Sequence, residues 1–307
     1  MERGVRLPYP ALFVLVHKLK VKQKIYQILT NRKFRTGPLP DEDTKKSIIQ
    51  VINSKVSKNL PIGLLQFWGG CKNPNLPYSS AGLCEELTLD NLKRIDTEVK
   101  KIYKPGLKIY ISLGDKRVEE VNLIPEQKTE KYVNSLFGIA KKEKYGRLFT
   151  VVPVSTLYQK SKNFRQKLDE VERRIKKDLD EVENIEKLIK NARKNIFTDD
   201  LTSEREIRKR VFNSAKNYII YRVAEEEAQI FIEFKDCIRS SFIRYKRFYQ
   251  KYIKDIDQTK PNLNCYLNFF TSKKGNITQP WQAIAEKNKK EIIFLSQERI
   301  KNIKPRL

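Results

Sequence analysis

Three polar stretches of this chain carry side chains able to hold an anion or move a proton. The first, Cys71-Lys72-Asn73-Pro74-Asn75, follows the apolar run Leu64-Leu65-Gln66-Phe67-Trp68 and the pair Gly69-Gly70. A loop lysine beside Trp68 suits an anion anchor or, with a lowered pKa, a transient Schiff-base amine; the same residues are also ordinary turn chemistry. Glu85 stands at an acidic helix start, where it can orient an amine, act as a base or simply favour the positive end of the helix. The second stretch, Gly114-Asp115-Lys116-Arg117, offers Asp115 as a proton acceptor and Arg117 as its partner, or a hairpin turn with solvated charges. The third is Arg239, set between Ile238 and Ser240-Ser241. A buried guanidinium there suits a bidentate hold on carboxylate or phosphate, with Arg222 the next candidate, and an exposed charge in a basic surface is the plainer alternative. Trp281 serves equally as the wall of an aromatic pocket or as core. Cys71, beside Lys72, is either an activated thiol or inert.

Composition narrows the chemistry. The chain has 307 residues, one histidine and a formal charge of +26. With His17 alone, Ser-His-Asp and Cys-His designs are excluded unless His17 itself serves, which leaves carboxylates, Lys, Tyr or Cys as bases. Cys71, Cys84, Cys237 and Cys265 lack metal-type spacing, so no zinc site is expected and reduced thiols in a cytoplasmic protein are. The apolar piece Ala11 to Val16 is too short to span a bilayer, and no signal-peptide cleavage pattern follows it. The charge favours an acidic contact such as nucleic acid, an anionic membrane surface or a phosphorylated small molecule. A lysine-rich, AT-biased proteome accounts for it equally well. Residues 239–254 interleave basic and aromatic side chains, a pattern fit for phosphate contact and base stacking or for a helix with a wet and a dry face. No nucleic-acid-binding module signature accompanies it.

These residues need elements to position them. Pro61 to Phe67, Leu107 to Leu113 and Leu148 to Val154 read as buried strands. Thr88 to Tyr103, with Leu89, Leu92, Ile95, Val99 and Ile102 on one face, and Glu126 to Lys141 read as helices between them. Lys22 to Leu29 and Asp43 to Val56 read as earlier helices, the second capped by Asp41 or Asp43. Residues 164–195 read as a long charged helix with an apolar stripe from Leu168 to Ile189, preferred as a surface helix packed by that stripe over a coiled coil. Glu204 to Phe234 is a further helical run. Arg239 to Phe242 and Leu263 to Phe269 are candidate strands, and Pro280 to Asn302 a helix or a strand pair. The fold expected is α/β, with a Rossmann-like central sheet, flanking helices and a helical second part. Its parts are an N-terminal helical segment (1–60), the α/β core (61–160), a helical region (161–235) and a C-terminal α/β part completing the core (236–307).

The chain resembles the isocyanide (isonitrile) synthases of the pyoverdine/dityrosine biosynthesis group. Lys72-Asn73-Pro74-Asn75 is similar to the family's Lys-Ser-Pro-Asn loop, and Cys84-Glu85, with Leu87 and Leu92 in register, to its Ala-Glu helix entry. Tyr103-Lys104-Pro105-Gly106 matches its Tyr-x-Pro-Gly turn, and Gly114-Asp115-Lys116-Arg117-Val118 its Ser-Asp-Gly-Arg-Val. Residues from Lys177 to Leu201 are similar to its helical middle. Arg222 fits the arginine before its Glu-Ala step, Ile238-Arg239-Ser240-Ser241 its Ile-Arg-Leu-Ser, and Gln279-Pro280-Trp281-Gln282 its Thr-Pro-Trp-His. The chain departs at the two family histidines, where it has Ile243 or its neighbour and Gln282, and at Ala81-Gly82 and Lys116. The resemblance implies a synthase that joins an amino acid's α-amine to a carbonyl of ribulose 5-phosphate and keeps one sugar carbon as the isocyanide. It implies no metal and no cofactor. The catalytic candidates are then Lys72, Glu85 and Asp115, and the substrate-binding candidates Arg239, Arg222, Arg117, Ser241, Asn75 and Trp281. The expected partners are the amino acid and the phosphosugar, with an iron- and 2-oxoglutarate-dependent oxygenase working alongside; no membrane contact is expected and the oligomeric state is open. A basic nucleic-acid-binding protein ranks second, and a relative that binds a small molecule without turnover third.

Overall fold

The apolar run before the first polar loop forms a strand buried on both faces, β1 (Ile62–Gly69), as expected of a strand inside a parallel sheet. In a computed structural model the described residues are 9–35, 39–74, 76, 78–181, 188–189, 192–193, 195–199, 201, 203–240, 251–254, 269, 279–282, 284–287 and 292–295. Among them β1 pairs in parallel with β2 (Leu107–Gly114), β2 with β3 (Phe149–Pro153), and β1 on its other side with β4 (Ile238–Ser240). The order β3-β2-β1-β4 means that the chain steps outward twice, then returns to the far side of β1. The crevice outside the carboxyl ends of β1 and β4 is therefore the sheet's switch point, where α/β folds hold ligands. This is the α/β, Rossmann-like arrangement expected.

Side chains alternate along each strand and so build two cores. Ile62, Leu64 and Trp68 of β1 and Ile109, Ile111 and Leu113 of β2 face one side. They meet α1 (Tyr9–Thr30), α2 (Glu42–Ser57), α3 (Leu83–Lys100) and α5 (Glu126–Ala140). Leu65 and Phe67 of β1, Tyr110 of β2 and Val152 of β3 face the other side. That side is covered by α6 (Val154–Lys160), α7 (Phe164–Glu181) and α8 (Glu204–Glu227). Leu168, Val171, Ile175 and Leu179 of α7 are buried in this second core, so the charged helix is packed by its stripe. Residues 182–187 lie outside the described set. Asp41 caps α2, accepting from the N–H of Thr44 at 2.8 Å. The expected strand at Leu263 to Phe269 is outside the described residues but for Phe269, and the final segment includes an antiparallel pair, β5 (Ile284–Lys287) and β6 (Ile292–Leu295). Among the described residues no helix is long and apolar enough to cross a membrane.

One junction departs from the sequence reading. Gly114-Asp115 is not a hairpin turn; β2 runs straight into a short helix, α4 (Asp115–Asn122). Leu123 ends it in the left-handed conformation, at φ 55°. Polar composition alone does not separate a turn from the first turn of an amphipathic helix. The ends of β1 and β2 come so close that only glycine fits: a Cβ on Gly70 would lie 2.2 Å from the amide nitrogen of Asp115. Gly70→Ala is therefore expected to lose about 2 kcal/mol or more of stability, read as a lower midpoint in urea. An unchanged midpoint would mean the two strand ends are not in contact.

Candidate active site

The segments that follow β1, β2 and β3 bring most of the candidate residues to the carboxyl edge of the sheet, in two separate buried centres. On the α3 face, Lys72 Nζ lies 2.6 Å from Glu85 Oε1 and donates to the carbonyl of Pro280 at 2.6 Å. Glu85 is wholly buried. As the third residue of α3 its other oxygen accepts the N–H of Gly82 at 2.8 Å, closing the helix start. Tyr132 of α5 donates to Glu85 at 3.2 Å. Burial pushes the Glu85 carboxyl up, against the pull of the Lys72 ammonium, and pushes the Tyr132 hydroxyl far up, so Tyr132 stays a neutral donor. Cys71 and Cys84 are buried thiols pushed up to about 12, which removes them as activated nucleophiles. Lys72 thus staples the β1 loop to α3 and to the short turn Pro280–Gln282. Trp281 joins the same turn: its carbonyl accepts from the N–H of Asn73 at 2.8 Å, and its ring lies 6.2 Å from that of Trp68.

Asp115, at the end of β2, is buried and accepts from the backbone N–H of Ser155 at 3.2 Å and its hydroxyl at 2.5 Å. Its carboxylate satisfies the N-terminal turn of α6, where a helix has unpaired N–H groups.

The second centre lies on the α8 face. Glu225, wholly buried, receives Arg117 Nη1 at 2.6 Å and the Tyr158 hydroxyl at 2.6 Å on one oxygen, and Arg222 on the other. Burial alone would raise the Glu225 carboxyl; the guanidiniums of Arg117 and Arg222 outweigh it and hold the group below the usual carboxylate range. Burial beside Glu225 pushes Tyr158 far up, so it too stays a neutral donor. Glu226 straddles two arginines, 3.6 Å from Arg222 and 3.6 Å from Arg239. Arg239 sits on β4 opposite Leu65 and lies over the Phe231 ring, 5.9 Å from its centroid. Its Nε is buried without a hydrogen-bond partner among the described residues.

The structure therefore joins Arg117, Arg222 and Arg239 on one face of the sheet, and Lys72, Glu85 and Trp281 on the other. The Lys72 loop and Asp115 meet through Gly70. Asn75 and Ser241 lie outside the described residues, as does most of the basic and aromatic stretch 239–254. Sequence reasoning missed Glu225, Glu226 and Tyr158. A signal existed for the two acids: they stand three and four residues after Arg222, the spacing at which helical side chains meet. Tyr158 lay in a segment given no element. Among the described residues no group of three or more metal-ligating side chains is gathered. A surface cavity of about 380 Å³, between α4 and α8 and lined by Leu123, Lys209 and Arg210 among others, holds none of these candidates.

A family model described as pyoverdine/dityrosine biosynthesis protein matches residues 71–226, about half of the chain, from the Lys72 loop to Glu226. The chain belongs to the pyoverdine/dityrosine biosynthesis protein family. Of the solved structures, the PvcA protein from Pseudomonas aeruginosa shares its fold at a TM-score of 0.68 and 15% identity, over 92% of this chain and 94% of that one. A CDPS from Fluoribacter dumoffii aligns at a TM-score of 0.35 and 13% identity, over 64% of this chain and 89% of that one. No curated protein sequence matches. In this family member both buried centres draw on the matched region, and Arg239 and Pro280 are brought to them from beyond it.

The Glu225 cluster sets a pH-dependent stability. Because its native pKa lies below the unfolded value of about 4.3, its contribution is full above that value and is lost as pH falls through the native pKa. Glu225→Gln is expected to cost about 3 kcal/mol at pH 7, since two guanidiniums lose their buried counter-ion. Urea titrations of both proteins should converge as the solution is acidified; a deficit constant with pH would show that Glu225 is not ionised in the native state.

Proposed function

We propose that this protein is an isonitrile-synthase-like cytoplasmic enzyme that condenses the α-amine of an amino acid with ribulose 5-phosphate. Family membership supports the reaction class. The single observation that carries the site is Arg239: a guanidinium at the sheet's switch point, with a buried Nε that finds no partner among the described residues. Amino acid and phosphosugar each carry an anionic group, a carboxylate or a phosphate, and a guanidinium in a shielded site is the side chain best suited to hold either.

In this reading the Arg222–Arg239 pair holds the amino acid's carboxylate, and Arg117, fixed by Glu225, adds to the positive field. Phe67 and Phe231, ring centroids 5.0 Å apart, supply apolar surface on the same face. Protons must move during imine formation and sugar fragmentation. Lys72 and Glu85 lie across the sheet and pair with each other, so they enter as groups that position the β1 loop, as Asp115 positions α6. The isonitrile would pass to a partner enzyme, an iron- and 2-oxoglutarate-dependent oxygenase.

Incubation of the protein with single amino acids and ribulose 5-phosphate is expected to give an isonitrile detectable by mass spectrometry. Arg239→Ala should abolish product and calorimetric amino-acid binding while retaining the native circular dichroism spectrum. Amino-acid binding unchanged in that variant would remove Arg239 from the site, and absence of product with every amino acid would contradict the enzyme.

A further inference from the structure

The two neighbouring acids of α8 are held very differently. Glu225 is fully buried, with close contacts to two arginines and a tyrosine. Glu226 is partly exposed, at 22%, and each of its oxygens stands 3.6 Å from a different guanidinium. Charge-assisted N–H···O bonds are about 2.8 Å long, so neither contact is a formed hydrogen bond. Arg222 and Arg239 are more buried than the acid between them, at 3% and 13% side-chain exposure. A carboxylate on the solvent side of two shielded arginines, bonded closely to neither, stands where an incoming oxyanion would bind.

We propose that Glu226 is a resident counter-ion, exchanged for the substrate's carboxylate when the site fills. Before substrate arrives it neutralises the Arg222–Arg239 pair; on binding, the substrate carboxylate takes the guanidinium edges and Glu226 swings outward. Three arginines then face Glu225 and the ligand, while Glu226 is hydrated. Glu226 thereby sets the affinity of the site. The inference takes from the reading above only that a carboxylate is the natural occupant.

Removing a competitor tightens binding by the reciprocal of the fraction of time the competitor was absent. If Glu226 is turned away from the arginines about one-tenth of the time, Glu226→Gln should bind acetate about tenfold more tightly than the wild type. It should bind inorganic phosphate more tightly by a larger factor, because the site then carries an additional positive charge. Both are measured by calorimetry and by the shift of the thermal midpoint with anion concentration, at fixed ionic strength. Arg239→Ala should show no saturable binding of either. Should Arg239→Ala fail to fold, Arg239→Lys takes its place and should weaken both. A Glu226→Gln protein that binds acetate no better than wild type overturns the proposal, because a purely structural ion pair gives no gain on removal. No turnover is needed for these measurements: a protein that makes no isonitrile but shows this exchange loses the enzyme and keeps the site.

Discussion

A carboxylate with no access to solvent, Glu225, holds the α8 side of this molecule together. An unpaired charge so placed is prohibitively costly, so the fold must bring cations to it. It brings Arg117 from the helix after β2, Tyr158 from the helix after β3, and Arg222 from one turn back along α8. Three segments distant in sequence are thereby fixed at the carboxyl edge of the sheet. That constraint orients Arg222, and the orientation of Arg222 sets the width of the gap between it and Arg239.

The opposite face obeys the same rule with a different result. Glu85 is equally buried, and Lys72, Tyr132 and Gly82 satisfy it. Its cation also grips the carbonyl of Pro280, so the C-terminal turn is drawn over the end of β1. The first centre is closed on itself and serves to hold loop, helix and turn in place. The second is closed at Glu225 and loosely held at Glu226. In the proposed site, affinity for a ligand belongs to the loosely held contacts of Glu226, and rigidity to the close contacts of Glu225 beside it.

Much of this architecture is legible in the amino-acid pattern. β1 is an apolar run broken only by Gln66, β2 alternates apolar with other residues, α3 repeats its apolar residues at helical spacing, and Tyr103-Lys104-Pro105-Gly106 ends that helix with a glycine at φ 65°. Asp41 reads as a cap and is one. The membership of Lys72, Glu85 and Arg239 in buried polar clusters is suggested by charged residues set among apolar ones. What the pattern does not reveal is which face each group takes. Arg239 points to the α8 side because β4 pairs Arg239 with Leu65 rather than with Leu64, and a shift of one residue would send it to the other side. Register is a property of the assembled sheet. The helix at Asp115 is hidden for a related reason, since the Asp115 carboxylate serves no local turn but accepts from Ser155 at the start of α6, forty residues away.

The central claim, that the arginines fastened by Glu225 receive the substrate's carboxylate, is tested most directly by a crystal structure of the protein soaked in acetate. The account predicts a carboxylate within about 3 Å of nitrogens of both Arg222 and Arg239, with Glu226 turned toward solvent and Glu225 unmoved. Glu226 still lodged between the two guanidiniums, with acetate bound elsewhere or not at all, would contradict it.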